Sequence, residues 1–238
     1  MFGIFTGVIV NTLLVVVGTA AGCIFKGEKL QRIGDRVFQG FGLFTMMLGI
    51  SGAVGLNHPL FILASLIIGT AIGELADLDR QFTRAGEALQ KRFAKEGDSG
   101  FVNGFLSGTI LFCIGSMTIM GALQSGLSNE HTIYYTKSVL DCFAAGMFAM
   151  GSGIGVGFAA IAVLVYQGAL VALASLLTPV MTTEVVALSS AVGSLTLLGL
   201  GMNMLGITKL KVANFLPAMF IPIVYQIIVV LFHLNSVL

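Results

Sequence analysis

Six side chains able to ionise or hydrogen-bond sit where their neighbours are almost entirely apolar: Thr118, Lys137, Asp141, Gln167, Asn203 and Asn214. A charged group at the centre of a membrane helix costs about 2.5 kcal/mol or more, so such groups persist where they pair, bind or relay. Asp141, in KSVLDCFAAGM, lies four residues after Lys137, which places both on one helix face within reach of each other. That spacing admits two roles: an ion pair that orients the helix, and a carboxylate that binds or relays an ion or solute. Lys137 lies near the outer end of its segment, where its long stem can carry the ammonium to the interface.

Thr118 and Asn203 occupy related glycine-framed segments, GSMTIMG (115–121) and GMNMLGI (201–207), with GLFTMMLGI (42–50) a looser relative. Small neighbours there allow the backbone to unwind and offer carbonyls or amides to a ligand. Such a break survives at membrane depth only where protein or water satisfies the freed groups. Asn214 stands in ANFLPAMFIP, where Pro217 and Pro222 remove helix hydrogen bonds and predict a kink. Gln167, Asn11 and Asn103 complete the buried polar set. Any one of these amides could equally join two helices, through a hydrogen bond worth about 0.6–2 kcal/mol. Glu74 ends an apolar segment and reads as a solvated end charge, whereas Glu184 opens one and suits a cap at the positive end of the helix dipole.

Other chemistries lack their residues. Cys23, Cys113 and Cys142 are far apart in apolar segments, without CxxC or Cys/His spacing, and read as small buried apolar residues rather than metal ligands or a disulfide framework. His58, His131 and His233 fall near outer-side loops or ends with no paired ligand, and the chain has no Ser/His/Asp arrangement, phosphate loop or nucleotide fingerprint. Neither an enzyme nor a bound cofactor is expected. A net charge of +1 offers no basic face for nucleic acid.

The elements that must position these residues are membrane helices. Of 238 residues, 56% are hydrophobic and only 10% charged, against roughly a quarter charged in a soluble domain. A span needs about 20 apolar residues, and windows of that kind lie near 4–25, 37–56, 58–76, 103–124, 138–154, 156–177, 185–205 and 213–234. The stretch 138–177 is too long for one crossing and must break at the GSGIGVG run, 151–157. The start, MFGIFTGVIVNTLL, lacks a basic n-region and a small-residue cleavage site, so it reads as a retained span.

Eight alternating spans place Lys26, Lys29, Arg32, Arg36, Arg80, Arg84, Lys91, Arg92, Lys95, Lys209 and Lys211 on one side. By the positive-inside rule that side is cytoplasmic and both termini lie outside the cytoplasm. Lys137 is the one basic residue placed opposite. The expected architecture is thus all-α, a single polytopic bundle over 1–238.

Residues 78–96 carry Leu78, Phe82, Ala85, Leu89 and Phe93 on one stripe among charges, and 28–38 repeat the design more briefly with Leu30, Ile33, Val37 and Phe38. Both read as amphipathic helices at the cytoplasmic interface. VVVGTAAG (15–22) and LIIGTAIG (66–73) nearly superimpose, so 1–56 and 57–127 read as duplicated units, and transporter sites often lie where such units meet. GxxxG spacings at Gly18/Gly22, Gly69/Gly73, Gly104/Gly108 and Gly151/Gly155 predict tight helix contacts within a chain or between chains. The expected partners are the lipid bilayer, a second copy of the chain, and a small ion or solute.

In order along the chain, GTAAG, GSMTIMGALQSGL, KSVLDCFAAGM followed by GIGVGF, VYQG, and GMNMLGI with KVANFLPA resemble the domain-of-unknown-function 554 family. Its members are bacterial inner-membrane proteins described as uncharacterised or as candidate transport proteins. The resemblance covers about residues 2–230 and implies the same membrane for this chain. The family's recurring residues match Lys137, Ser138, Asp141, Gln167, Gly168, Asn203, Asn214 and Pro217, and the resemblance implies no catalytic or ligand role for any of them. The resulting expectation is a transporter or channel for a small ion or polar solute, with Asp141 as the ion-linked carboxylate and Thr118, Asn203 and Asn214 as contacts. The alternative is a structural or accessory membrane protein that oligomerises or docks a partner without transport. Whether Asp141, Thr118 and Asn203 line one cavity separates the two.

Overall fold

A computed structural model describes residues 2–24, 28–54, 58–93, 100–114 and 116–232, with the side chains of residues 2, 28–35 and 116 outside that description. Among the described residues the chain is helical throughout and has no strand. After a short 3-10 turn at Phe2–Phe5 come α1 (Thr6–Ile24), α2 (Glu28–Ala53), α3 (Pro59–Ala76), α4 (Leu78–Phe93), α5 (Phe101–Cys113), α6 (Ser116–Ser128), α7 (Thr132–Ser152), α8 (Gly155–Ala172), the single turn α9 (Ala174–Leu177) and α10 (Thr183–Met204). A 3-10 segment, Val212–Phe220, then leads into α11 (Ile221–Leu231).

Among the described residues, five segments are long and apolar enough to cross a membrane: Gly3–Ile24, Pro59–Ala76, Gly155–Ala172, Thr183–Met204 and Val212–Leu231. The α5–α6 pair, bent by 61°, is long and apolar enough when its two helices are taken together, as a broken span or a re-entrant loop. The other two expected windows fall on α2 and α7, which are helical and packed into the bundle but carry more polar residues, Lys137 and Asp141 among those of α7.

Glycine sets how closely the helices approach. α1 lies parallel to α7, with Gly18 against the Cys142 carbonyl and Gly22 against that of Gly146. α3 runs antiparallel to the 3-10 segment, Gly69 meeting Ala218 and Gly73 the Asn214 carbonyl. The similar GTAAG and GTAIG motifs are therefore both helix crossings. α2 runs antiparallel to α10 through Gly42 and Gly49, and α5 parallel to α8 through Gly104, Gly108 and Gly155. These relative directions are the ones eight alternating crossings produce. All four GxxxG pairs make their close contacts within the chain.

The 138–177 stretch separates at Gly153, whose φ of 71° and ψ of −156° end α7 before α8 begins. Pro217 lies within the 3-10 segment and Pro222 at the start of α11, so the last span changes from 3-10 to α geometry between the two prolines. The window 103–124, by contrast, is not one helix. It breaks after Cys113, where Ile114 is extended (φ −87°, ψ 143°).

Helix α4 is amphipathic, but its stripe is applied to protein rather than to an interface alone. Gly86 packs on Val102 and Phe105 of α5, and the Phe93 ring lies 5.1 Å from that of Phe158 on α8. For the shorter segment 28–38, the side chains of Leu30 and Ile33 are outside the described residues, as are Lys26, Lys95 and His233.

Candidate functional site

The break between α5 and α6 collects a group of buried polar side chains, among them the buried ion pair. The last carbonyls of a helix have no partner within it, and here they end inside a segment of membrane-crossing length. Phe112, one residue before the end of α5, offers its carbonyl to two side chains from other helices. Lys137 of α7 donates to it from Nζ at 2.9 Å, and Gln167 of α8 approaches with Nε2 at 3.5 Å. Gln167 Oε1 in turn accepts from Asn11 Nδ2 of α1 at 3.1 Å. The Lys137 ammonium also donates to the Asp141 carboxylate one turn along α7. Two helices thus cap one broken helix end, and a third, α1, backs the Gln167 amide.

A second link ties α6 to the same face of α7. Tyr134 donates its hydroxyl to the Thr118 carbonyl at 3.1 Å, and the Ser138 hydroxyl donates to the Tyr134 carbonyl at 2.6 Å. Asn11, Thr118, Tyr134, Ser138 and Gln167 are completely buried, and Lys137 is 5% exposed. Asn11 Oδ1 and the Thr118 hydroxyl nevertheless have no hydrogen-bond partner among the described residues, nor do the hydroxyls of Thr109, Ser189 and Ser190. Gly193 of α10, one turn beyond Ser189, closes the far side of the break against Ile114. Unpartnered buried polar atoms are uncommon because each costs about 1–3 kcal/mol. Two of the five, those of Asn11 and Thr118, belong to residues of the cluster at the break.

Lys137 therefore departs from the expected snorkelling position. Its stem turns inward because a carboxylate and a helix-end carbonyl satisfy the ammonium there. This also explains why it stands apart from every other basic residue in the charge pattern: it belongs to the bundle, not to a loop.

Asn203 and Asn214 do not join this cluster. Asn203 fastens the turn that follows α10: its Nδ2 donates to the Leu210 carbonyl at 2.7 Å, while its Oδ1 accepts from the Leu210 amide at 2.9 Å and the Thr208 hydroxyl at 2.7 Å. Asn203→Ala is expected to lower stability by about 1–2 kcal/mol without affecting the break, a loss measurable as a lower midpoint of thermal unfolding in detergent.

Asn214 donates to Glu74 at 2.5 Å and accepts from the Asp79 amide at 2.7 Å, which fixes the corner between α3 and α4. Glu74, expected as a solvated end charge, also receives Lys211 at 3.1 Å. That contact holds the Lys211 ammonium above its ordinary pKa. Burial in the same corner raises the Asp79 carboxyl. Glu184 does not cap α10 through its side chain; the Thr182 hydroxyl does, and Glu184 faces His58 Nε2 at 3.0 Å.

A cavity of about 520 Å³ lies between α5 and α10, with Asp79, Asn103, Ser107, Ile110, Asn203 and Lys209 in its wall. Along α5 it extends from Val102 to Ile110, two residues short of Phe112. The six expected site residues are thus divided. Thr118, Lys137, Asp141 and Gln167 meet at the break, Asn203 lines the α5–α10 cavity, whose wall includes neither Asp141 nor Thr118, and Asn214 is a clamp elsewhere. The Phe112 carbonyl, Tyr134 and Ser138 complete the cluster and lay outside the expected set.

The model of the family described as "Protein of unknown function (DUF554)" matches residues 6–227. The chain is 29% identical over 233 residues to "Uncharacterized membrane protein YdfK" of Bacillus subtilis (strain 168), covering 96% of this chain and 99% of that protein. It is 33% identical over 218 residues to "Uncharacterized protein YqgA" of Escherichia coli (strain K12), covering 90% of this chain and 92% of that one. No solved structure matches the chain significantly.

Proposed function

The chain belongs to the DUF554 family, and from that premise we propose that it is a transporter or channel for a small ion or polar solute, with its site at the α5–α6 break. The observation that carries this reading is the broken span itself. A helix end at membrane depth is held by Lys137 and Gln167 from two other helices, with Asn11 of a third behind Gln167, while buried oxygens along the surrounding helices have no partner among the described residues. Irregular backbone in such a position is tolerated where it is buried in protein or lines a water-filled cavity, and paired ionisable groups inside a membrane commonly mark an ion or solute path. The cavity below Ile110 supplies the approach from one side.

The basic residues of the loops favour a bacterial cytoplasmic membrane with both termini outside the cytoplasm, so the cavity, walled in part by Lys209, opens toward the cytoplasm. Asp141 is then the carboxylate that a permeating ion or proton meets after leaving it.

Purified protein in liposomes, assayed with a pH-sensitive dye and with alkali-metal, halide and small polar solute tracers, tests the reading. Flux is expected for at least one probe, with a loss of tenfold or more in Asp141→Asn. Absence of flux for every probe, or full flux in Asp141→Asn, overturns it.

A further inference from the structure

We infer that the break is a monovalent-cation site whose occupant is carried by the chain itself: the Lys137 ammonium stands where a sodium or potassium ion would otherwise sit. The ligands are those a monovalent cation takes. One is the Phe112 carbonyl at 2.9 Å, at the C-terminal end of α5, where the helix dipole is negative. The other is the Asp141 carboxylate. A single carboxylate balances a single positive charge and would leave a divalent ion with an excess one.

The surroundings hold further oxygens. Asn11 belongs to the same hydrogen-bonded chain, through Gln167 to Phe112, and its Oδ1 is completely buried without a partner among the described residues. The Thr118 hydroxyl, on the far half of the broken helix, is likewise buried and unpartnered.

The intact protein therefore needs no external sodium or potassium at this position. Removing the tethered ammonium should convert the site into one that binds them. Under the transport reading, on which this extension alone rests, the species that reaches Asp141 competes with a built-in cation, so a proton rather than a metal ion is the coupled species. The site itself is independent of that reading.

The test is thermal unfolding of the full-length protein in detergent, at constant ionic strength, with choline chloride replaced stepwise by sodium or potassium chloride. The midpoint of the unsubstituted protein should not move. That of Lys137→Ala should rise saturably by several degrees with sodium or potassium, since a ligand that binds only the folded state stabilises it. Lys137→Met, which fills the vacated space, and Lys137→Ala combined with Asp141→Asn should both lack the response. Equal midpoints for Lys137→Ala in all three salts, an equal rise in the unsubstituted protein, or failure to recover folded Lys137→Ala in any salt overturns the proposal. A salt-responsive variant of a protein that conducts nothing would leave the cation site standing and remove the transport reading. Flux without a salt response would do the reverse.

Discussion

Gly73→Ala and Gly18→Ala are each expected to prevent recovery of folded protein, although each adds one methyl group. A Cβ on Gly73 would overlap the Asn214 carbonyl, and one on Gly18 the Cys142 carbonyl. Both obstacles are backbone atoms of another helix, so relief requires moving a whole helix rather than rotating a side chain. Overpacking in a well-filled core costs about 1–3 kcal/mol, occasionally more, and these positions lie at the high end because nothing flexible can yield. The effect should spread from each crossing. Gly73 also sets the distance at which Asn214 reaches Glu74 and the Asp79 amide, so its loss releases the corner between α3 and α4. Gly40→Ala and Gly168→Ala are the controls, since no atom lies within 4 Å of an added Cβ at either site. Both should be recovered at the level of the parent. The yield of monodisperse protein in size-exclusion chromatography and the unfolding midpoint read the difference. Recovery of Gly73→Ala and Gly18→Ala at parental yield and midpoint would mean that these crossings can open to admit a methyl group.

Much of the helical scaffold was legible in the sequence because it rests on local and compositional signals. Runs of apolar residues, the GSGIGVG punctuation, the paired GTAAG and GTAIG motifs and the prolines of 214–223 each report on their own segment. The site was legible only in part. Asp141 and Lys137 announce themselves as ionisable groups four residues apart, and GSMT signals a place where a helix can open. What they open onto is not local. The Phe112 carbonyl is a backbone atom 25 residues from Lys137 and 55 from Gln167, and no side-chain pattern distinguishes it from any other carbonyl. Asn203 and Asn214 illustrate the opposite failure. Their residue type inside apolar surroundings suggested a shared cavity, yet the amide of one is committed to a turn seven residues long and that of the other to Glu74, 140 residues away. A sequence shows that a polar side chain needs a partner; it does not show which partner is in reach. Lys137 shows the same limit for charge. Its place opposite the remaining basic residues follows from burial against Asp141, which positive-inside counting does not register.

Asp141→Asn and Lys137→Met should each destabilise the protein by about 3–5 kcal/mol, because each leaves the other charge buried without its counter-ion. The double substitution should lose far less than the sum. Both charges are then gone, the introduced methionine side chain approximates the length of the lysine stem, and Gln167 remains to meet the Phe112 carbonyl. Replacing an entire buried pair by neutral groups is often nearly neutral in stability, so the coupling measured by the double-mutant cycle should be several kcal/mol, larger than the about 0.5–3 kcal/mol usual for residues in contact. Unfolding in detergent, or resistance to increasing SDS, supplies the four free energies. The same four proteins separate the two roles left open by the i, i+4 spacing. If the pair only fixes α7 against α5, the double variant regains function along with stability. If Asp141 is the group a permeating ion or proton engages, the double variant is stable and folded yet conducts nothing, because the helices are in place and the carboxylate is not.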